Sequence, residues 1–215
     1  MRRLLDLFCG AGGCTRGYQE AGFEVVGVDI KPQPNYVGEE FHEADALEWL
    51  AENGAWGFDA VHASPPCQAY APVTAWRGSQ ADHPELVADT RDLLETTGLP
   101  FVIENVPEAP IRPDFFLCGT MFGLPVRRHR SFETNWFDPT SVWGLLPPCG
   151  HHPADMSFDH GGKQPESVYR DAMGCHWMTV AESRQAIPPA YTRFIGERLM
   201  ADLELIPAAK NGEAA

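Results

Sequence analysis

The residue pattern predicts an α/β fold built on a doubly wound, mainly parallel sheet, and three observations carry that prediction. Short apolar runs of strand length alternate with helix-like segments; a turn containing Gly10, Gly12 and Gly13 breaks the first run before a helix-like stretch; and an acidic residue, Asp29, closes the second run. Strands that alternate with helices pair in parallel, and the ligands of such sheets gather at the carboxyl ends of the strands.

Arg3 to Phe8 is apolar enough for a buried strand, Cys14 to Ala21 reads as the helix after the glycine turn, and Glu24 to Asp29 as the second strand. Phe58 to Ala63 and Pro100 to Glu104 read as further buried strands, with a helix-like segment from Pro84 to Thr97 between them. Beyond about residue 135 the chain becomes rich in Trp, Pro, Gly and His and loses periodicity. A helical pattern returns from Ala190 to Leu203, where Phe194, Ile195, Leu199 and Leu203 supply the apolar positions. The expected organisation is one domain made of residues 1–134 and 174–205, a small irregular insertion at 135–173, and a flexible tail at 206–215.

At 215 residues the chain has room for one substantial core, and 44% hydrophobic with 21% charged residues is ordinary globular composition. No apolar run is long enough to span a bilayer, and the first residues lack a secretion-signal pattern, so a cytoplasmic protein with no membrane partner is expected, as a monomer. Cysteines at 9, 14, 67, 118, 149 and 175 lack the dense spacing of a disulfide scaffold and are expected as thiols. A formal net charge of −14 counts against a polyanionic partner. The local field decides binding, however, and Arg127, Arg128, His129 and Arg130 concentrate positive groups in one place.

The notable polar groups fall at predicted strand ends. DLFCGAGG, residues 6–13, places small residues where backbone must approach a ligand, although such turns also serve tight packing. Asp29 lies where a carboxylate accepts from ribose hydroxyls, or simply ends a strand. Together they favour an adenosine-containing cofactor, and no phosphate-binding GxxxxGK[ST] motif is present. SPPCQAY, residues 64–70, displays Cys67 on a proline-stiffened loop, either as a nucleophile or as a packed thiol. Glu104 follows the apolar FVI run; burial there would raise its pKa toward proton donation, and the alternative is a structural carboxylate with a partner. Cys149, His151, His152, His160, Cys175 and His176 have a zinc-like composition, but their spacing matches no standard ligand pair and no metal is expected. Trp136, Trp143, Phe158 and Trp177 read as the core of a small lobe or as an aromatic that fills the gap left by a displaced base.

Taken in order, DLFCGAGG, the acidic end of VVGVD, EADALEWL, PPCQ, ENV and RRHR resemble the successive motifs of the DNA cytosine-5 methyltransferase family. The resemblance covers about residues 4–133 and resumes from about Met173 into IPPAYTRFIGE. It implies the Rossmann-like sheet of S-adenosylmethionine-dependent methyltransferases with a reduced target-recognition insertion, a duplex DNA partner and a place in restriction-modification. By matching position it assigns the cofactor to Asp6, Phe8, Gly10, Gly12, Gly13, Asp29, Ile30, Asp45, Ala46 and Pro65, with Asp29 on the ribose and Asp45 on the adenine amino group. It makes Cys67 the nucleophile toward cytosine carbon-6 and Glu104 the acid at N3, with Arg128 and Arg130 shaping the pocket and holding the base's carbonyl. The backbone around Pro65 would face the base's amino group, and Pro66, Gln68, Asn105 and Val106 would line the substrate. A flipped base is implied, because stacking shields both faces of a paired cytosine.

The chain departs from the family at Val126, where glutamine is usual, and at Gly196-Glu197, where Gly-Asn is usual. Two alternatives remain at this point: methyl transfer to free deoxycytidine nucleotides, which suits the acidic charge and short insertion, and an inactive cofactor-binding module that contacts DNA or protein.

Overall fold

A computed structural model of the chain describes residues 1–137, 145–150, 156–157 and 166–205. Its spine is five parallel strands, β1 (Arg2–Leu7), β2 (Phe23–Asp29), β3 (Glu40–Glu43), β4 (Ala60–Ala63) and β5 (Phe101–Asn105), lying in the order β3-β2-β1-β4-β5. The chain crosses between them through α1 (Gly13–Glu20), α2 (Ala46–Asn53), α3 (Pro72–Arg77) and α4 (Val87–Thr97). The strand order reverses between β1 and β4, which opens a crevice at their carboxyl ends. The expected doubly wound α/β sheet is therefore present.

Past β5 the sheet continues with antiparallel partners, β8 (Arg130–Thr134) and then β6 (Phe115–Leu117). A short parallel pair, β7 (Val126–Arg127) with β9 (Met156–Ser157), stands apart from it. The described chain closes with α5 (Glu166–Met173), α6 (Val180–Gln185) and α7 (Pro189–Leu205). Among the described residues no helix is long and apolar enough to cross a membrane.

Alternation along each strand sorts side chains into two cores. Leu5, Leu7, Val26, Val28, Val61, Ala63 and Ile103 pack on one face with Leu50 of α2 and Leu94 of α4. Leu4, Val25, Ala60 and Val102 occupy the other face beneath Tyr18 of α1 and Tyr191, Ile195 and Leu199 of α7. Each of the leucines, valines and isoleucines among them contributes about 1.5–3 kcal/mol by leaving water. On that second face the alternation brings polar residues to the carboxyl half: Asp6, His62 and Glu104, all buried, follow Leu4, Ala60 and Val102 at a spacing of two. The sheet is thus apolar at one end and chemically equipped at the other.

Two features hold that end in place. α1 and α7 pack almost backbone to backbone: a Cβ at Gly17 would overlap Thr192 Oγ1 and the Pro189 carbonyl oxygen, and Thr192 Oγ1 donates 2.9 Å to the Cys14 carbonyl. Buried Glu133 of β8 accepts both Arg91 Nε at 2.7 Å and Arg91 Nη2 at 2.8 Å from α4, and the Arg112 backbone N–H at 2.7 Å. This fork-like pairing pins the antiparallel edge to the helical layer.

Candidate active site

The glycine turn after β1 is shaped by its backbone. Among the described residues Phe8 is the one non-glycine residue with positive φ, at 60°. Gly10 and Gly12 also take positive φ, 51° and 85°, conformations that side chains with a Cβ resist. A Cβ on Gly13 would come within 2.5 Å of the Ile187 carbonyl oxygen, so Gly13 is needed where the turn meets the segment before α7. At Gly10 nothing lies within 4 Å of the Cβ position, which leaves open space on that side of the turn.

The carboxylates expected on the cofactor lie around this opening. Asp29 Oδ2 accepts from the Gly10 N–H at 3.0 Å and Oδ1 from the Lys31 N–H at 3.0 Å, so it binds the end of β2 to the turn while keeping lone pairs for hydroxyl donors. Ile30, next in the chain, is 65% exposed, an apolar surface at the lip of the crevice. Asp45 caps α2, and both cap bonds, from Leu47 N–H at 2.9 Å and Glu48 N–H at 3.1 Å, go to Oδ1. Oδ2 stays available to an amino group, and buried Ala46 anchors the helix start below it.

Cys67 and Glu104 come together at the neighbouring strand ends. β4 and β5 are adjacent and parallel, with Ala63 opposite Ile103, so the SPPC loop and the ENV segment leave the sheet side by side. Buried Asn105 joins them: its Nδ2 donates 2.9 Å to the Pro65 carbonyl, and its own Oδ1 accepts from the Val106 N–H at 2.9 Å. The Cys67 carbonyl accepts from both Tyr70 and Ala71 N–H groups at 2.9 Å, which curls the loop and leaves the thiol half-buried, with Pro66 and Gln68 beside it. Arg130 Nε lies 2.9 Å from Glu104 Oε1; the approach is off the N–H axis, so this is an ion pair and Oε1 keeps no well-directed donor among the described residues.

The electrostatics suit a thiol and an acid. Burial pushes the Glu104 carboxyl up, against the pull of Arg130, the Ser64 hydroxyl and Arg128. Burial also pushes the Cys67 thiol up; Arg130 and Arg128 lower it and Glu104 raises it. The thiol therefore senses the acid's charge, and both groups sense the same pair of guanidiniums.

A family model described as C-5 cytosine-specific DNA methylase matches residues 2–110, half of the chain, and that stretch contains the glycine turn, Cys67 and Glu104. The chain belongs to this family. Type II methyltransferase M.XorII of Xanthomonas oryzae pv. oryzae is 29% identical over 143 residues, 60% of this chain and 30% of its own length. Type II methyltransferase M.NgoPII of Neisseria gonorrhoeae is 24% identical over 140 residues, 62% of this chain and 37% of its own. The chain thus spans about a third of the length of the curated relatives it matches. Among solved structures, the S. pombe Dnmt2 methyltransferase aligns at a TM-score of 0.46 and 19% identity, over 74% of this chain and 52% of that one.

Within this C-5 cytosine methylase chain, two expected site residues have tasks beneath the surface. Asp6 is fully buried under the turn, where Oδ2 accepts from Thr15 Oγ1 at 2.6 Å and Oδ1 has no partner among the described residues. Burial raises its carboxyl to about 7, against the pull of Thr15. A carboxyl raised in the folded state stabilises fully below its ordinary range, and that contribution is lost as pH rises through about 7. Thermal midpoints measured from about pH 5 to about pH 9 are expected to fall more steeply for the parent than for Asp6→Asn, by on the order of 3 kcal/mol in stability. Equal slopes for the two proteins would refute that account.

Arg128 is the other. Its Nε and Nη2 donate to the Ala186 carbonyl at 3.1 and 2.8 Å, and Nη2 also to the Arg184 carbonyl at 2.8 Å, while its own carbonyl accepts from Tyr191 Oη at 2.6 Å. Burial, then Arg130, lowers its guanidinium to about 9. It ties the turn after β7 to the end of α6 and to α7, whereas Arg130 is the arginine on Glu104.

A buried row of groups behind Glu104 was not among the sequence-derived candidates. Tyr18 Oη lies 2.9 Å from His62 Nδ1, and His62 Nε2 lies 2.9 Å from Ser64 Oγ, the hydroxyl that draws Glu104 down. Burial lowers His62 to about 3, so the ring is neutral, with one donor and one acceptor nitrogen to carry the row. Trp177 also reaches the site: its Nε1 donates 2.9 Å to the Ala11 carbonyl within the glycine turn. Trp136 instead donates to the Phe101 carbonyl at the far side of β5, and Trp143 and Phe158 lie outside the described residues.

Proposed function

We propose that the chain transfers a methyl group from S-adenosylmethionine to carbon-5 of cytosine in duplex DNA, through a covalent adduct of Cys67 with a base flipped out of the helix. The observation that carries this reading is the meeting of a thiol and a raised carboxyl at adjacent parallel strand ends, joined by the Asn105 to Pro65 bond, next to a glycine turn with open space beside it.

The residues around the crevice fit the cofactor by their chemistry. Asp29 retains acceptor capacity for ribose hydroxyls, Ile30 offers an exposed apolar face to an adenine ring, and Asp45 Oδ2 is left for its amino group. When bound, S-adenosylmethionine supplies an electrophilic methyl group. Gly10, Gly12, Gly13 and Phe8 shape the turn that receives it, Asp6 supports that turn from below, and Ala46 and Pro65 complete the wall.

Cytosine carbon-5 is a poor nucleophile until a thiolate adds at carbon-6 and the charge pushed toward N3 is neutralised. Cys67 forms the carbon-6 bond, and Glu104 passes its proton to N3. Arg130 holds Glu104 in place and favours the thiolate of Cys67. After carbon-5 gains the methyl group its proton is lost to water, the electron pair left behind expels the Cys67 sulfur as thiolate, and N3 returns its proton to Glu104, which restores the ring. Pro66, Gln68, Asn105 and Val106 would form the walls that orient the base.

The deciding experiment measures transfer of labelled methyl to duplex DNA and, separately, to free dCMP. Label in the DNA and none in dCMP is expected. Label in dCMP with inert DNA would replace the substrate, as the net charge of −14 would suit, and label in neither would leave only a binding module.

A further inference from the structure

Behind the arginine turn, three sulfur and nitrogen donors converge where no step of the proposed reaction uses them. Cys118 follows β6 and is fully buried. His129 occupies the bend between β7 and β8, between Arg128 and Arg130. Cys149 comes from residues 145–150, beyond the sheet. Cys118 Sγ, one imidazole nitrogen of His129 and Cys149 Sγ all lie within 4.8 Å of one another. His129 Nε2 is 3.2 Å from Cys149 Sγ, and Thr120 Oγ1 is 3.3 Å from Cys118 Sγ and 3.9 Å from Cys149 Sγ.

We propose that Cys118, His129 and Cys149 form a structural zinc site that ties the segment after β8 to the arginine-bearing turn. Zinc takes thiolate sulfur at about 2.3 Å and imidazole nitrogen at about 2.0–2.1 Å, so donors at tetrahedral angles stand roughly 3.5–3.8 Å apart. Three donors already within 4.8 Å close onto such an ion by small side-chain rotations. Two sulfurs and a nitrogen are soft to borderline ligands, which select zinc over magnesium or calcium. Binding expels the thiol protons, and the fourth position is taken by water or another donor.

Packing alone accounts for a buried Cys118, and a disulfide would account for the two cysteines. Neither explains an imidazole nitrogen directed at a thiol across nineteen intervening residues. Nor is the set the one the sequence pointed to. Cys175 is buried elsewhere, its Sγ 3.6 Å from the Met173 carbonyl, and His176 Nδ1 pairs with Asp171 at 2.9 Å. His151, His152 and His160 lie outside the described residues. A stretch of about forty residues buries little apolar surface on its own, and a metal cross-link is a standard substitute for a core. Because His129 separates Arg128 from Arg130, an ion held there also fixes the turn that aims Arg130 at Glu104.

The test is zinc content of the purified full chain, expressed with added zinc and desalted without chelator. About one equivalent per chain is expected, falling to less than about a tenth in Cys149→Ser and His129→Ala and unchanged in Cys175→Ser. Replacement by cobalt should give tetrahedral d–d bands with a thiolate charge-transfer band in the parent. Titrating the parent with a mercurial should release the zinc as thiols are modified, an outcome that does not depend on any variant folding. A parent without zinc, a Cys149→Ser protein holding as much zinc as the parent, or a Cys118 to Cys149 disulfide in the non-reduced mass would each overturn the site.

Discussion

Replacing Cys67 by alanine is expected to abolish methyl transfer to DNA while leaving cofactor binding unchanged. The loss should be on the order of 10⁴-fold or more, since removing a covalent nucleophile leaves only binding and orientation to act on the base. The fold should tolerate the change: the side chain is half-buried on a loop held by backbone bonds to the Cys67 carbonyl, and losing its sulfur costs about 1 kcal/mol or less. A serine in the same place should do little better, because a hydroxyl is far less acidic than a thiol, and beside Arg130, Arg128 and a Glu104 that acts in its protonated form it has no general base to take its proton. The measurement is single-turnover transfer of labelled methyl, paired with calorimetric titration of S-adenosylmethionine. A 5-fluorocytosine duplex should trap the parent as a covalent adduct and leave Cys67→Ala free. A variant within tenfold of the parent rate would assign the nucleophile elsewhere.

The first half of the fold could be read from sequence because its local rules agree. Observed β1, Arg2–Leu7, is the predicted run shifted by one residue, and β2, Phe23–Asp29, starts one residue earlier than predicted, since apolar strands bounded by glycine and acid leave few alternatives. The edge strands β3 and β6 escaped prediction for the opposite reason. Glu40–Glu43 is polar and half-exposed, Phe115–Leu117 has only three residues, and partners distant in sequence stabilise both. Strand β8 was hidden in a charged run, because the burial of Glu133 depends on Arg91 and Arg112, which no local pattern announces.

The site was legible to a similar depth. Motif positions placed Cys67, Glu104 and the cofactor residues at strand ends, but not the division of labour between the two arginines, which depends on the carbonyls of Arg184 and Ala186. The row Tyr18, His62, Ser64 did leave a trace. With a period of two, a histidine inside the apolar run AVHA must face the same side as Glu104 if the strands register as observed. A buried histidine on that face needs partners, and Tyr18 and Ser64 are those available.

Glutamine at position 104 is expected to slow methyl transfer by about 10²–10⁴-fold, the range for losing a general acid. The amide keeps the volume beneath Arg130 and cannot release a proton to N3. It also separates two opposed ionisations. The parent needs Glu104 protonated and Cys67 ionised; burial raises both pKa values, and the protonated fraction of Glu104 falls as pH rises through the first while the thiolate fraction of Cys67 grows as pH climbs toward the second. The two limbs give a bell for the parent. The variant should keep the rising thiol limb and lose the falling acid limb. Stability shifts with the same sign as the acid: a carboxyl raised by folding stabilises fully below its ordinary range and loses that contribution as pH rises through its folded value. The pH slope of the melting temperature should therefore flatten in Glu104→Gln, while Arg130 loses its charged partner. A variant retaining both limbs of the bell would show that the proton reaching N3 comes from another group, and that the buried carboxyl serves only to hold Arg130.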